Sequence, residues 1–158
     1  MWKFGHYEEM AHPTDASSIP GVNMTIHADT VRRIFSPLES GDGEKFFECV
    51  AENVDWTVEG THPLAGHYQS KNEFFTHTFA RLNKILQEGT QLHVQNVLTD
   101  GDWAVVELRS YAFAKSGMRF DNRYCWVVRF DGETIVEVRA YLDSALVQQL
   151  IDENEAHA

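Results

Sequence analysis

DNRYCWVVRFDGETIVEVRAYLDSALV, from Asp121 to Val147, is the stretch on which the fold turns. Apolar residues recur at alternate positions on both sides of FDGE, which is tight-turn material, so the segment reads as a β-hairpin. Its strands run from Met118 to Phe130 and from Thr134 to Asp143. At Ser144 the period becomes helical, and Leu146, Val147 and Leu150 form one face of a short helix ending at about Glu153. Two further period-two segments precede the hairpin, Gln91 to Leu98 and Trp103 to Ala114, with TDGD between them and KSG after them. These segments together predict a meander of four long strands.

Upstream the period is mostly 3.6. Val31, Ile34, Phe35 and Leu38 define a helix from about Ile26 to Glu39, with Pro37 placed to bend or shorten it. After SGDG, Phe46, Phe47 and Val50 give a second short helix with Asp42 as candidate cap. Val54 to Glu59 reads as a strand, and GTHPLAG as a turn or irregular link. Ser70 then opens a third helix from Lys71 to about Gln87, carried by Phe74, Phe75, Thr78, Phe79, Leu82 and Ile85. The order predicts an α+β fold, with a curved sheet wrapped around three helices and leaving a cone-shaped cavity. It is not a doubly wound fold, because no βαβ succession or phosphate-binding glycine fingerprint occurs. Residues 1–24 lack a period and read as an N-terminal arm whose Met1, Trp2, Phe4 and Tyr7 pack on the body. The domain proper is expected over 25–153, and 154–158 as a C-terminal tail.

The chain has 158 residues, which is room for one core. Its 24 Asp and Glu against 13 Lys and Arg give a net charge of -11, and argue against a nucleic-acid surface. Neither a membrane span nor a secretory leader is legible, and two cysteines, Cys49 and Cys125, suit a reducing compartment. A cytoplasmic location is therefore expected. The histidines His6, His12, His27, His67, His93 and His157 are scattered without metal-ligand spacing, and no nucleophile elbow occurs. Neither a metal nor a cofactor is expected.

VDWTVEGTHPLAG, from Val54 to Gly66, together with Asp121 to Val147, resembles the NTF2-like superfamily and, within it, the SnoaL-like, ketosteroid-isomerase-like branch. The resemblance covers about Ile26 to Leu150 and implies a cone, with a strongly curved mixed or antiparallel sheet around three N-terminal helices. It implies no single reaction, since the superfamily includes isomerases, cyclases, epoxide hydrolases, dehydratases and proteins that only bind or dimerise. Aligned on these words, Trp56, Val58, Val105, Glu107 and Ala140 stand where the epoxide-hydrolase relatives carry Tyr, Asn, Arg, Asp and Asp. Four of these cannot do the assigned task, and that activity is not expected. The steroid-isomerase relatives place a base near Glu59, without a matching Tyr and Asp donor pair here.

Following that alignment, Trp56 and Val58 face the cavity from the first strand, and Val138, Ala140 and Leu142 from the last. Met118, Phe120, Asn122, Tyr124, Trp126 and Val128 share one face, as do Trp103, Val105, Glu107, Arg109 and Tyr111 on the neighbouring strand. Taking both sets as cavity-facing makes Glu107 a base, with Arg109, Tyr124 and Asn122 holding an oxygen on which charge develops. The other reading of Glu107 and Arg109 is a structural ion pair. Trp56, Val58, His62, Trp103, Phe120, Trp126, Val138, Ala140 and Leu142 are the candidate ligand wall; His77 is a lesser candidate. Ala104, Val106, Leu108, Cys125 and Val127 make the opposite face apolar too, which predicts a homodimer through the open side of the sheet. Arg139, Tyr141 and Asp143 share the outward parity and read as inter-subunit or helix-capping contacts.

Two function classes follow. One is a cofactor-independent isomerase, cyclase or dehydratase that removes a proton beside a carbonyl of an apolar cyclic or polyketide-like substrate. The other is a non-catalytic module that binds a small ligand or dimerises.

Overall fold

The structure, a computed structural model, describes residues 25–157. The arm expected at 1–24, with its aromatic contacts, lies outside the described residues. In chain order the elements are helices α1 (Ala28–Glu39) and α2 (Gly43–Phe47), strands β1 (Val50–Val58) and β2 (Gly66–Tyr68), and helices α3 (Lys71–His77) and α4 (Phe79–Ile85). Strands β3 (His93–Asp100), β4 (Trp103–Arg109), β5 (Ala112–Phe113), β6 (Arg119–Phe120), β7 (Arg123–Asp131) and β8 (Thr134–Leu142) follow. Helix α5 (Ser144–Asn154) and a 3-10 turn (Glu155–His157) close the chain.

Six strands form one sheet in the order β2-β1-β8-β7-β4-β3, while β5 and β6 make a separate two-stranded ribbon. Only β1 and β8 pair in parallel; the other pairings are antiparallel. The register shifts between Val50 and Asp55, between Val94 and Asn96, and between Arg129 and Phe130. Such irregularities bend a strand and increase its local twist, which is how the sheet curves around its helices. This is the α+β architecture expected from the sequence.

The helices form where the sequence supplies both an apolar face and local hydrogen-bond partners. Val31, Ile34, Phe35 and Leu38 of α1 are all buried. Pro37 does not end this helix. Its ring nitrogen has no hydrogen for the Arg33 carbonyl, and the Ser36 hydroxyl donates to that carbonyl instead at 2.9 Å. Asp42 caps α2 by accepting from the Lys45 N–H at 3.1 Å. At Ser70 the cap is doubled: its hydroxyl accepts from the Glu73 N–H, and the Glu73 carboxylate accepts from the Gln69 N–H. The single helix expected from Lys71 to Gln87 is kinked at Thr78 (φ -124°, ψ -81°). There the Thr78 hydroxyl donates to the Phe74 carbonyl at 2.7 Å, a side-chain bond that competes with helix geometry.

The long strands expected from Trp103 to Ala114 and Met118 to Phe130 are each broken once, at the same level. The Ser110 N–H donates to the Asn122 carbonyl at 3.0 Å, and the Asn122 N–H donates to the Ser110 hydroxyl oxygen at 2.9 Å. This crossed pair bends both strands, so the β5–β6 ribbon leaves the main sheet and packs with α4 and α5. Phe120, Leu82, Ile85, Val147 and Leu150 form the resulting second core. The larger core gathers α1 and α2 on the sheet around Phe35, Phe46, Trp56 and Trp126. There Trp56 stacks on Phe74 at 3.8 Å between ring centres and meets Trp126 edge-on at 5.2 Å.

One strand phase is corrected. On β4 the helix-facing residues are Ala104, Val106 and Leu108, buried to 2% exposure or less, while Trp103, Val105, Glu107 and Arg109 point to the open side. On β7 the expected phase is the observed one, with Trp126 and Val128 buried. Pairing fixes the relation between the two strands. Leu108 is opposite Tyr124, Val106 opposite Trp126, and Glu107 opposite Cys125, and directly opposed residues share a face. The physical reason lies in composition: both faces of β4 are apolar at Trp103–Val106, so its own alternation does not say which face the helices cover.

Candidate functional site

Two concavities meet at the ends of β7 and β8. The inner one lies between the helices and the sheet and has a volume of about 40 Å³. Its wall comes from Val58, Leu64, Phe74, Thr78, Phe79, Leu82, Thr90, Leu92, Tyr124, Trp126, Ala140 and Leu142. No carboxylate, imidazole or cation is among them. Both threonine hydroxyls are engaged, Thr78 as donor to the Phe74 carbonyl and Thr90 as donor to Asn83 Oδ1 at 2.9 Å. Tyr124 therefore supplies the polar chemistry of this cavity. Burial pushes its phenol well above the ordinary tyrosine range, and a hydrogen bond with Ser110 only partly offsets that. A phenol in this state keeps its proton and acts as a hydrogen-bond donor.

The outer concavity, about 490 Å³, lies on the open side of the sheet. Glu107, Arg109, Arg123, Cys125 and Tyr141 line it with Gln95, and Leu108, Tyr124 and Leu142 close its inner end. Tyr124 and Leu142, paired across β7 and β8, thus border both spaces. Burial raises the Cys125 thiol pKa, and the nearby Glu107 charge adds to it, so this cysteine is held as the thiol.

The sequence-derived candidates separate accordingly. Tyr124, Val58, Trp126, Ala140 and Leu142 line the inner cavity. Trp56, Phe120 and Val138 are buried in the cores beside it but are not part of its wall. Glu107 and Arg109 line the outer groove, on the face opposite to the one that alignment gave them. Trp103 is also on the open side, where the guanidinium groups of Arg139 and Arg129 lie 4.9 and 5.9 Å from its ring centre.

Asn122 is fully buried, but its amide is consumed by backbone. Oδ1 accepts from the N–H groups of Arg123 (2.7 Å) and Asp143 (3.0 Å), and Nδ2 donates to the Asp143 carbonyl (3.3 Å). That ties the start of β7 to the end of β8, and Asn122 is part of neither concavity's wall. Asp143, expected as a capping contact, accepts from the Leu146 N–H at 3.2 Å and caps α5.

His62 is likewise occupied. Leu64 N–H donates to its Nδ1 at 3.2 Å, so Nε2 carries the hydrogen and donates to the Glu59 carbonyl at 3.1 Å. Desolvation lowers its pKa, against the backbone bond from Glu59. The ring is a neutral strut inside the GTHPLAG link. Gly60 allows that packing: at φ +111° a side chain is strained, and a Cβ would stand 2.6 Å from Ser144 Oγ.

Sequence periodicity missed the helical half of the cavity wall. Phe74, Phe79 and Leu82 carried the signal of a buried face, but nothing in that signal distinguishes a core residue from a lining one. Arg123 was also missed in the groove; its signal is its place opposite Arg109 across β4 and β7. Among the described residues no group of three or more His, Cys, Asp or Glu is placed to hold a metal ion. No described helix is long and apolar enough to cross a membrane.

A mixed sheet curled over short helices, with an apolar cavity between them, defines an NTF2-like cone. The SnoaL-like domain family matches residues 31–138, and the chain belongs to it. Among curated proteins the chain is similar to dimerizing cyclase phiC of a fungal species, at 28% identity over 120 residues covering 73% of this chain and 53% of that protein. Dimerizing cyclase tstC of Talaromyces stipitatus is 27% identical over 120 residues, with the same two coverages. The chain spans about half the length of the curated relatives it matches.

Among solved structures, an NTF2-like protein of Burkholderia thailandensis superposes with TM-score 0.67 and 24% identity, over 78% of this chain and 95% of that one. A protein of Catenulispora acidiphila with a ketosteroid isomerase-like fold gives TM-score 0.62 and 13% identity, over 77% and 91%. These two likenesses concern the fold.

Proposed function

We propose that this SnoaL-like chain binds a small, mainly apolar carbonyl compound in the cone and cyclises or isomerises it without a cofactor. One observation carries the reading: the inner cavity has an apolar wall whose remaining polar chemistry is the protonated phenol of Tyr124, hydrogen-bonded with Ser110. A donor held in a dry cavity stabilises an oxygen as it becomes negative, whether through enolisation or through attack of a substrate carbon on the carbonyl. Tyr124 is the residue given this role. Glu107, expected as the base, stands on the other face of the sheet and is not assigned to the inner cavity. The similarity to two proteins named cyclases supports the reaction class.

The cavity of about 40 Å³ is far below the roughly 300–1,000 Å³ of ligand pockets. Entry of a ring therefore requires wall side chains to move, and Leu142 and Tyr124 at the junction with the groove are the gate. We also propose a homodimer through the open side of the sheet, where Trp103, Val105 and Val127 are half-buried and lie on the face opposite to the one the described helices cover.

The test is a panel of linear polyketide-type diketones and cyclic enones, followed by mass spectrometry and by exchange of α-protons in deuterated buffer. Wild type should turn over at least one class, and Tyr124→Phe should lose on the order of 10²-fold in rate while retaining binding. Turnover unchanged in Tyr124→Phe would sink the assignment. A second reading, binding without turnover, is favoured by the lack of any base on the cavity wall; quenching of Trp126 fluorescence by the same compounds without product is its outcome.

A further inference from the structure

The outer groove holds three charged side chains of both signs. Arg109 and Arg123 are directly opposed across β4 and β7, and Glu107 precedes Arg109 by two residues on the same face. All three line the groove, and none takes part in an ion pair among the described residues. Arg109 Nε is buried without a hydrogen-bond acceptor; its guanidinium lies 4.8 Å from the centre of the Tyr111 ring, a contact that gives the Nε–H no acceptor. Two cations opposed across a strand pair repel each other, and a carboxylate between them relieves that while matching the guanidinium fork.

The groove is also shaped. Cys125, a small side chain, is opposed to Glu107 on one side and to Tyr141 on the other, so the floor is lowest there. On β3 the register shift falls at Gln95, and an irregularity of this kind re-aims a side chain. Gln95 lines the groove next to the Glu107 strand, and its Nε2 donates to the His93 carbonyl at 3.2 Å, which leaves its amide oxygen as an acceptor. The volume of about 490 Å³ falls within the roughly 300–1,000 Å³ of ligand sites.

A simple anion satisfies the arginines but meets Glu107 on the same wall, and a simple amine does the reverse. A ligand with both signs on neighbouring atoms satisfies all three. We propose that the outer groove binds a free α-amino acid with an apolar side chain. Arg109 and Arg123 hold its carboxylate, Glu107 and the Gln95 oxygen hold its ammonium group, and its side chain lies toward Tyr141 and Leu142. This site is separate from the inner cavity and does not rest on the reaction proposed there. It is also offset from the apolar patch given to the homodimer, since Arg109 stands about 13 Å beyond Val105 along β4.

Isothermal titration of the full chain with leucine and phenylalanine tests the proposal. 4-Methylpentanoate and 3-methylbutylamine serve as leucine without its amine and without its carboxylate. Leucine or phenylalanine should bind, and the amino acid should bind at least about tenfold tighter than either truncated analogue. Glu107→Gln should weaken the amino acid about tenfold and leave 4-methylpentanoate no weaker, whereas Arg123→Gln should weaken both. Both positions are exposed, and circular dichroism verifies folding. If Arg123→Gln does not fold, Arg123→Lys replaces it; this keeps the charge, removes the fork, and should still weaken the amino acid.

No binding of either amino acid up to about 10 mM overturns the inference. Equal affinity for leucine and 4-methylpentanoate does so too, because Glu107 then has no part in recognition. Binding that both variants leave unchanged also overturns it, by placing the amino acid elsewhere on the chain. Failure of the turnover test at Tyr124 leaves the groove proposal standing.

Discussion

Glu107 and Tyr124 stand on neighbouring strands, one residue out of register, and on opposite faces of the sheet. Tyr124 is opposite Leu108 and looks into the cone, whereas Glu107 is opposite Cys125 and looks out. This one-residue offset separates the chemistry into two spaces. A protonated phenol sits with apolar side chains on the inside, and fixed charges sit on the outside. A carboxylate base acting on a ligand in the inner cavity is not what this geometry provides.

The strand phase is testable at two adjacent positions. Val106 is fully buried and Val105 is half-buried on the open side. Val106→Asp should cost more than about 4 kcal/mol, because it buries an unpaired charge in the core. Val105→Asp should cost about 1 kcal/mol or less in the isolated chain. Urea unfolding at low protein concentration compares them, and equal losses would contradict the phase.

Asn122→Ala should destabilise the chain by about 3 kcal/mol. It orphans the part-buried N–H groups of Arg123 and Asp143, at roughly 1–3 kcal/mol each. Chemical unfolding gives the magnitude. Amide exchange should quicken first at the β8–α5 junction, since the Asp143 N–H sits there.

His62 makes stability fall on acidification. Its pKa in the fold lies below the ordinary value of about 6.5, so the unfolded chain takes up the proton first. Stability is therefore complete above about pH 6.5 and declines as the pH drops from there toward the folded value. His62→Ala should reduce stability at neutral pH by about 1–3 kcal/mol through lost bonds to Leu64 and Glu59, and should flatten this acid slope. An unchanged slope would show that another group carries it.

Tyr124 acts at the other end of the scale. Its phenol is raised above the unfolded value of about 10, so its contribution is intact below that pH and is lost as the pH rises through it. Thermal melts between pH 9 and 11, at about the ordinary tyrosine range, should show an alkaline decline in wild type that is reduced in Tyr124→Phe.

Much of the cone was legible because it rests on local rules. The helical period at Val31, Ile34, Phe35 and Leu38, the caps at Asp42 and Ser70, and the FDGE turn each act within a few residues, and each is present. The break at Ser110 and Asn122 was not legible, because its two halves are 12 residues apart and bond across strands. The candidate site was legible in part. Val58, Ala140 and Leu142 follow from the family alignment and Tyr124 and Trp126 from their shared strand face, while β4 alternates between two apolar sets and gives no direction.

By itself, then, the amino-acid sequence determined the elements and their order, since periodicity, capping and turn chemistry are properties of neighbouring residues. Only the tertiary structure decided which face of β4 the helices cover, how much space the aromatic side chains leave, and which polar groups are already spent. Asn122 and His62 read as candidates for a ligand from their residue types, yet backbone partners at the β8–α5 junction and in the GTHPLAG link occupy them. The reason is physical: a side chain's availability depends on what stands within hydrogen-bond reach, and that is set by the packing of segments distant in sequence.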